Sequence, residues 1–326
     1  MNILFIGLDY HTYTRSIIAE MEALGASVTY VDIQPRNLLF KVVRTAARPG
    51  YEKYLKLHHA AAIRASEAVA YDKVVFLQAH QISLENLARL REVQNGAEFT
   101  LYNWDALTTH DYRPQAPYFD RVLTFDRRDA KTHGYGYLPL FCQRWMQDLR
   151  RDRVQAGTLF MVGNIVKPAR YTAVHAFCTY CDEMDLTFRQ HLKITPVVWA
   201  ELIGTGVRPT GVKLRSINDK VFREMVETSL AVFDFTNHAQ SGQTMRMMES
   251  LCTGKKIITN NAWVKHEPFY GPDRIHIFNG LDFSGVADFL CIPLTDPVAD
   301  FPEYHIQNFT RRLLGLDPLL ADKVFV

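Results

Sequence analysis

The segment from residue 240 to 249, QSGQTMRMME, holds the densest group of side chains that could bind a phosphorylated ligand. It follows an apolar run, and its Ser-Gly turn predicts a helix that begins at Gln243 or Thr244. A helix N-terminus offers unpaired backbone N–H groups and a positive dipole end, which together favour phosphate. Arg246 and Glu249 share one helix face, where Arg246 could neutralise a diphosphate and Glu249 could accept ribose hydroxyls. The alternative is an ordinary ion pair between these two residues beside a capped helix.

The whole segment is therefore a predicted nucleotide-binding site, in which Gly242 would let the backbone approach the ligand closely. Its predicted binding residues are Gln240, Ser241, Gly242, Gln243, Thr244, Arg246 and Glu249.

A second phosphate-binding candidate is VGNIVKPAR, residues 162–170, at the end of another apolar run. Gly163 and Asn164 suit a tight turn after a strand, and Lys167 or Arg170 could reach diphosphate oxygens. Alternatively, the two cations are surface charges that open a helix after a proline.

Candidate general bases follow the predicted strands of the N-terminal half. Asp9 and His11 follow the first strand, His80 follows the third and Asp105 the fourth. A transfer reaction to a hydroxyl needs a carboxylate or histidine within hydrogen-bond reach of the proton that leaves. Asp9, Asp105 and His11 are the predicted catalytic residues. Each has a structural alternative, because Asp9 could cap the first helix and Asp105 could hold a loop.

The elements that must position these residues alternate between short apolar runs and amphipathic helices. Residues 2–7, 13–24 and 26–31 read as strand, helix and strand, which predicts an α/β fold with parallel sheets. In such sheets ligands bind beyond the carboxyl ends of the strands. The polar segment up to about residue 156 separates two such halves, which predicts domains over residues 1–145 and 157–326.

Composition excludes several classes of protein. The chain has 326 residues, 48% of them hydrophobic and 22% charged, as in globular proteins. A net charge of +2 without a concentrated basic face argues against nucleic-acid binding. Neither a signal peptide nor a membrane span is evident, so a cytoplasmic protein is expected. The five cysteines suggest no disulfide framework, and without an Asp-x-Asp motif or ligand cluster no metal is expected.

Three segments resemble a bacterial family of lipopolysaccharide and capsule biosynthesis that is related to CgeB-like proteins. They are SGQTMRMMESLCTGKKIITNN at 241–261, YNWDAL at 102–107 and VLTFDRRDAKTHGYGYLPLF at 122–141. That family is similar to glycosyltransferases of the GT-B fold. The resemblance implies two Rossmann-like domains that face each other across a cleft, with the acceptor on the N-terminal domain and the nucleotide sugar on the C-terminal one.

The resemblance also bears on individual residues. The family pattern falls on Ser241, Gly242, Thr244, Arg246 and Glu249. It implies that Glu249 is the ribose ligand, and it favours Arg170 over Lys167 for phosphate. Gln243 departs from the pattern, because an aliphatic residue is common at that position.

The expected function is therefore transfer of a sugar from a nucleotide-diphosphate donor to a glycan, a lipid-linked acceptor or another cell-surface polysaccharide. No cofactor is expected, and a lipid-linked acceptor would bring peripheral contact with the cytoplasmic membrane face. Two alternatives stay open: a non-catalytic nucleotide-sugar-binding subunit, and a nucleotide-sugar epimerase or hydrolase on the same scaffold.

Overall fold

The computed structural model describes residues 1–10, 12–35, 48–149, 152–236, 240–297 and 299–320. The chain forms two compact units, the first built from Met1–Leu140 and Ile306–Asp322 and the second from Phe141–His305. Each unit contains one six-stranded sheet, and every strand pairing described is parallel. The predicted α/β class with two parallel-sheet units is confirmed.

The first unit is a sheet in the order β2-β1-β3-β4-β5-β6 with helices between its strands. The strands are β1 (Asn2–Gly7), β2 (Ser27–Asp32), β3 (Lys73–Leu77), β4 (Glu98–Asn103), β5 (Arg121–Thr124) and β6 (Gly136–Tyr137). The helices are α1 (Tyr13–Ala23), α2 (Arg48–Ser66), α3 (Leu84–Val93) and α4 (Arg127–His133). Strand β1 is buried from its second residue onward, as expected for a central parallel strand that is covered on both faces.

The carboxyl ends of β1, β3 and β4 lie side by side, because Gly7 is in register with Leu77 and Leu77 with Tyr102. A Cβ atom on Gly7 would lie 2.7 Å from the Leu77 Cβ, so this close approach requires glycine. The residues that follow these strands therefore share one edge of the sheet.

The second unit has the strand order β12-β11-β10-β7-β8-β9. Its strands are β7 (Gln155–Ile165), β8 (Thr187–Ile194), β9 (Val212–Lys213), β10 (Ser229–Asp234), β11 (Lys256–Thr259) and β12 (Ile275–Ile277). Its helices are α5 (Arg144–Gln147), α6 (Pro168–Glu183), α7 (Pro196–Gly204), α8 (Asp219–Thr228), α9 (Met245–Cys252) and α10 (Val286–Cys291). Phe177 and Phe233 stack with ring centroids 4.0 Å apart at the centre of its core, where helix α6 packs on the sheet.

Strand β8 was not predicted from the sequence, because its polar residues hide the apolar alternation. Thr187–Ile194 has only two fully buried side chains, and its remaining residues are half-buried or exposed. The ambiguous segment that follows is helical, since Pro196 stands at the first turn of α7 where no backbone N–H is needed.

The compact units differ from the predicted bounds of 1–145 and 157–326 in two respects. The second unit begins at Phe141, so it includes residues 141–145. A last helix, α11 (Ile306–Leu313), belongs to the first unit although it follows the whole second unit in the chain. Its Phe309 ring meets the buried Tyr102 ring of β4 edge to face, with centroids 5.2 Å apart. Periodicity along a sequence shows that such a helix is amphipathic but does not show which sheet its apolar face covers.

In the described part of the chain, no helix is both long enough and apolar enough to cross a membrane. All five cysteines are free thiols.

Candidate functional site

The start of helix α9 is fixed to the ends of two strands of the second sheet. Thr244 caps the helix, because its Oγ1 accepts the Met247 N–H at 3.1 Å. The same hydroxyl donates to Asp234 Oδ1 at 2.7 Å, where β10 ends. The other carboxylate oxygen of Asp234 accepts from Thr259 Oγ1, at the end of β11, at 3.2 Å. The predicted helix start is thus confirmed at Thr244, and Asp234 joins three elements at the carboxyl edge of the sheet.

The turn before α9 is held from inside by side-chain amides. Asn261 Nδ2 lies 3.3 Å from the Ser241 carbonyl, 3.1 Å from the Gly242 carbonyl and 3.2 Å from Gln243 Oε1. Gln243 Nε2 also donates to the Ser241 carbonyl, and Gln240 Nε2 donates to the Gly242 carbonyl. Because inward-facing amides hold its carbonyls, the turn presents a fixed backbone at the positive end of the helix.

Arg246 and Glu249 form the ion pair that the sequence offered as an alternative. Arg246 Nη1 lies 2.8 Å from Glu249 Oε2, and the Glu249 side chain is only 3% exposed. Arg246 Nε donates to the Val162 carbonyl at 3.1 Å, which ties α9 to β7. The guanidinium also covers the Phe222 ring at 4.7 Å. Both residues therefore lie at the predicted edge, but Glu249 is turned toward Arg246 and away from solvent.

Arg170, in the first turn of α6, joins the ends of β7 and β10. Its Nη1 donates to the Asn164 carbonyl at 2.9 Å, and its Nε donates to the Phe235 carbonyl at 3.2 Å. Gly163 is half-buried, and an added Cβ would meet only the Met161 methyl, at 4.0 Å, so sterics do not require glycine there. Lys167 precedes α6 as an exposed residue whose side chain makes no cap hydrogen bond.

Asp234 is the electrostatic centre of this edge. Burial raises the pKa of its carboxyl group, whereas the Thr244 hydrogen bond, the Arg170 charge, the Thr259 hydrogen bond and the Arg246 charge lower it. Both guanidiniums therefore act on one buried carboxyl. Asp234 and Asn261 were not among the predicted site residues. The available signal in the sequence was the polar residues at the ends of their strands.

In the first unit, Asp105 lies at the sheet edge beside Gln78 and His110. Gln78 Nε2 donates to Asp105 Oδ2, and His110 Nε2 lies 3.9 Å from the same oxygen. The side chains of Asp105 and His110 are each 41% exposed. Partial burial raises the pKa of Asp105, while His110 and the Gln78 hydrogen bond act in the opposite direction.

Gln78 has a φ of 66°, a left-handed conformation that is uncommon outside glycine. Its own N–H still donates to the Tyr102 carbonyl at 2.9 Å, so the strained residue is tied to β4. Backbone strain of this kind concentrates at functional sites.

His80 stacks flat against His110, with ring centroids 3.9 Å apart and an interplanar angle of 3°. Gln34 Nε2 donates to Gln81 Oε1 at 2.9 Å. The other end of the same amide group, Gln81 Nε2, lies 3.2 Å from His80 Nε2 and can only donate to it. His80 Nε2 is then the acceptor, and its proton resides on Nδ1. Burial and the neighbouring His110 lower the pKa of His80 to about 4, which keeps the ring neutral near pH 7.

Asp9 lies at the same edge but is paired. Its Oδ2 is 3.6 Å from Arg15 Nη2, and its side chain is 11% exposed. Tyr10 and Trp104, the neighbours of Asp9 and Asp105, touch with ring centroids 5.7 Å apart, so the loops after β1 and β4 meet. The N-cap residue of α1 is Thr12, not Asp9, which was the structural alternative for Asp9. His11 lies outside the described residues.

Within the described ranges, no three His, Cys, Asp or Glu side chains are grouped so that they could hold a metal ion.

No protein-family model matches the chain, and no curated protein sequence matches it. Solved structures do. AviGT4, described as a glycosyltransferase involved in avilamycin A biosynthesis, is similar with a TM-score of 0.59 and 13% identity, over 97% of this chain and 96% of its own. The apo form of WaaB, a lipopolysaccharide outer core galactosyltransferase, gives a TM-score of 0.51 and 12% identity, over 97% and 99%.

A third similar structure is described as a putative UDP-N-acetylglucosamine 2-epimerase from Listeria monocytogenes. It has a TM-score of 0.51 and 11% identity, over 96% of this chain and 94% of its own. At such identities the likeness shows the fold alone, and that fold is the GT-B type with two Rossmann-like α/β units. The predicted fold type is confirmed.

Proposed function

We propose that the chain is a glycosyltransferase, which moves a sugar from a nucleotide-diphosphate donor to a glycan, a lipid-linked acceptor or another cell-surface polysaccharide. The observation that carries the proposal is the start of α9, where a fixed turn and two guanidiniums meet at the carboxyl edge of the second sheet. Its support is the GT-B fold, which this chain has in common with structures described as glycosyltransferases.

In this proposal the second unit binds the donor. The diphosphate lies at the N-terminus of α9, between the turn Ser241–Thr244 and the guanidiniums of Arg170 and Arg246. The two arginines and the helix dipole offset the diphosphate charge, so no metal ion or other cofactor is needed. Gly163 and Asn164 form the neighbouring wall at the end of β7.

The remaining donor contacts concern Glu249, Gln240 and Gln243. Glu249 is the ribose ligand in this proposal, which requires that its carboxylate exchange the Arg246 contact for ribose hydroxyls as Arg246 turns to the diphosphate. Gln240 and Gln243 hold the turn through its carbonyls.

The first unit binds the acceptor in this proposal, and Asp105 is its general base. Partial burial raises the pKa of this half-exposed carboxylate, which makes it a stronger base than a fully solvated one. Asp9 and His11 are the further candidates, and Asp9 ranks below Asp105 because it is largely buried beside Arg15.

The test is a titration of the chain with a panel of nucleotide sugars, nucleoside diphosphates and nucleosides by isothermal calorimetry. Arg246→Ala should weaken diphosphate binding by about 10- to 100-fold and nucleoside binding much less, because its proposed partner is phosphate. Glu249→Ala should weaken both, because its proposed partner is ribose. Arg223→Ala is the matched control, since Arg223 is an exposed arginine of α8 that packs on Trp145. Unchanged affinities in both site variants would refute the assignment of the pocket.

The likeness to the epimerase-described structure makes an epimerase the second candidate. Product analysis by NMR separates the reactions, because an epimerase returns an altered nucleotide sugar without an acceptor. A hydrolase releases free sugar, and a binding subunit returns the donor unchanged. Only the glycosyltransferase yields a new glycosidic bond to an added acceptor.

A further inference from the structure

Exposed apolar side chains follow three neighbouring strands of the second unit. Val166 comes directly after β7, Leu214 directly after β9, and Val197 lies in the first turn of α7, which follows β8. These side chains are 61%, 61% and 77% exposed. Because β7, β8 and β9 are parallel neighbours in the sheet, their carboxyl ends lie side by side. The three apolar residues therefore share one edge of the sheet.

Helix α7 extends this apolar surface. Val198 and Leu202 belong to the core of the unit, whereas Ile203 is 55% exposed. Glu201 is the only charged residue in the whole helix. A surface helix normally turns a charged face to water, which α7 does not have. Apolar residues that are exposed next to one another, as at this edge, are typical of a binding surface.

Basic residues lie beside the apolar ones. Lys193 of β8 is in register with Lys213 of β9, so both side chains point to the same face of the sheet on strands about 5 Å apart. Arg215 follows, and His191 Nε2 donates to its carbonyl at 2.9 Å, which holds the segment after β9 against β8. Lys193 Nζ donates to Ser216 Oγ at 3.0 Å.

These cations are not neutralised by the protein itself. Among the residues that the structure describes, Lys193, Lys213 and Arg215 form no ion pair. Residues 186–218 hold five Lys or Arg and one Asp or Glu, a formal charge of +4, although the whole chain carries only +2. Like charges side by side on adjacent strands repel each other, and an anionic partner would relieve that repulsion.

We propose that this surface binds a bilayer that contains anionic phospholipids. We call it the strand-end patch and define it by Val166, Val197, Leu214, Lys193 and Lys213. The lysines meet headgroup phosphates, and the apolar side chains enter the boundary between headgroups and acyl chains. A soluble polyanion would satisfy the lysines but leave the apolar residues in water. A second copy of the same patch would bring like charges together. The inference does not depend on the proposed glycosyl transfer.

The experiment sediments the full chain with vesicles, in the absence of a nucleotide sugar and an acceptor. The wild type should bind vesicles of equal parts phosphatidylcholine and phosphatidylglycerol, and should bind vesicles of phosphatidylcholine much less. Raising the salt concentration from about 0.05 M to about 0.5 M should weaken the binding, because salt screens the lysines from the headgroups. The assay contains no substrate, so its failure would leave the proposed glycosyl transfer untouched.

Substitutions assign the binding to the patch. Lys193→Gln and Lys213→Gln should each weaken binding by about fivefold, and the double variant by about 30-fold, as for a basic residue at an anionic membrane surface. Val197→Ser should weaken binding at both salt concentrations, because its contact is apolar. Lys131→Gln and Leu57→Ser are the matched controls. Both residues are exposed in the first unit, Leu57 as much as Leu214, and neither substitution should change binding.

A measurement on the wild type avoids variants that fail to fold. Bound vesicles should protect Lys193 and Lys213 from acetylation by acetic anhydride and leave Lys131 reactive, as peptide mass spectrometry can measure. Four results would overturn the proposal. They are no sedimentation with anionic vesicles, equal binding to phosphatidylcholine vesicles, equal protection of all three lysines, and a dimer in light scattering that Val197→Ser abolishes.

Discussion

The two sheets both carry charged side chains at the carboxyl ends of their strands, but these side chains differ in how far they are exposed. In the second unit, Arg170, Arg246 and Glu249 are engaged with backbone carbonyls or with each other. In the first unit, Asp105 and His110 are half-exposed at the corresponding carboxyl edge.

The difference shows what a charged residue at a strand end can contribute. A largely buried residue that is already hydrogen-bonded holds the strands in place and must exchange partners before it binds a ligand. A half-exposed residue can meet a ligand without rearrangement. We therefore expect substitutions at the second edge to change stability and affinity together, and substitution of the half-exposed Asp105 at the first edge to change turnover alone.

The largest expected effect tests the exposed edge of the first unit. Asp105→Asn keeps the shape of the side chain but removes the general base of the proposed transfer, so turnover should fall by about 10²- to 10⁴-fold. Donor affinity should stay near that of the wild type. Steady-state rates with an active donor and acceptor, together with calorimetry, measure both quantities. Asp9→Asn is the control with a mild expected effect, and a larger loss there would assign the base to Asp9.

Arg246→Ala tests the second unit, where the charged residues are already paired. The substitution leaves the buried Glu249 carboxylate without its arginine, and breaking a buried pair in this way costs about 3 kcal/mol of unfolding free energy. Urea unfolding followed by circular dichroism measures the loss. Arg223→Ala should stay within about 0.5 kcal/mol of the wild type, as surface substitutions usually do. Equal stability of the two variants would mean that the Arg246–Glu249 pair does not stabilise the second unit.

A smaller loss of stability is expected from a substitution at the start of α9. Thr244→Ala removes both the cap of α9 and a hydrogen bond to the buried Asp234, so it should cost about 2 kcal/mol. Ser83→Ala removes a cap from α3 without a second partner of this kind, and should cost about 1 kcal/mol. Thermal unfolding of both variants compares them, and an equal loss would show that the Asp234 contact adds nothing.

The last prediction concerns pH and the first unit. The pKa of His80 is about 4 in the folded chain, whereas its ordinary value is 6.5. Between these values the unfolded chain binds more protons, so the free energy of unfolding falls as the pH drops from about 6.5 to about 4. His80→Gln removes this contribution, and its stability should decline less over that window. Parallel curves for the two proteins, measured by urea unfolding at each pH, would contradict a buried neutral His80.

Much of the fold could be predicted from the sequence, because apolar runs such as residues 2–7 and 229–236 identify central strands without reference to tertiary contacts. Strand β8 was not predicted, because it lies next to the edge strand of its sheet and keeps polar residues. The start of α9 was likewise predictable, since the turn and the cap are local.

The engagement of the site residues was not predictable in the same way. Whether Arg246 faces a ligand or a carbonyl depends on Val162, which is 84 positions away. His110 and Gln78 were not predicted as site residues. His110 is placed by ring stacking and Gln78 has a positive φ, and neither feature has a sequence pattern.

Helix α11 has a consequence for how the protein is made. Domains generally fold in order as they leave the ribosome. Here the sheet of the first unit emerges early, but the helix that brings Phe309 to Tyr102 emerges only after the whole second unit. The nascent chain therefore holds an incomplete first unit throughout synthesis of the second, and a chain that stalls before residue 306 cannot complete it.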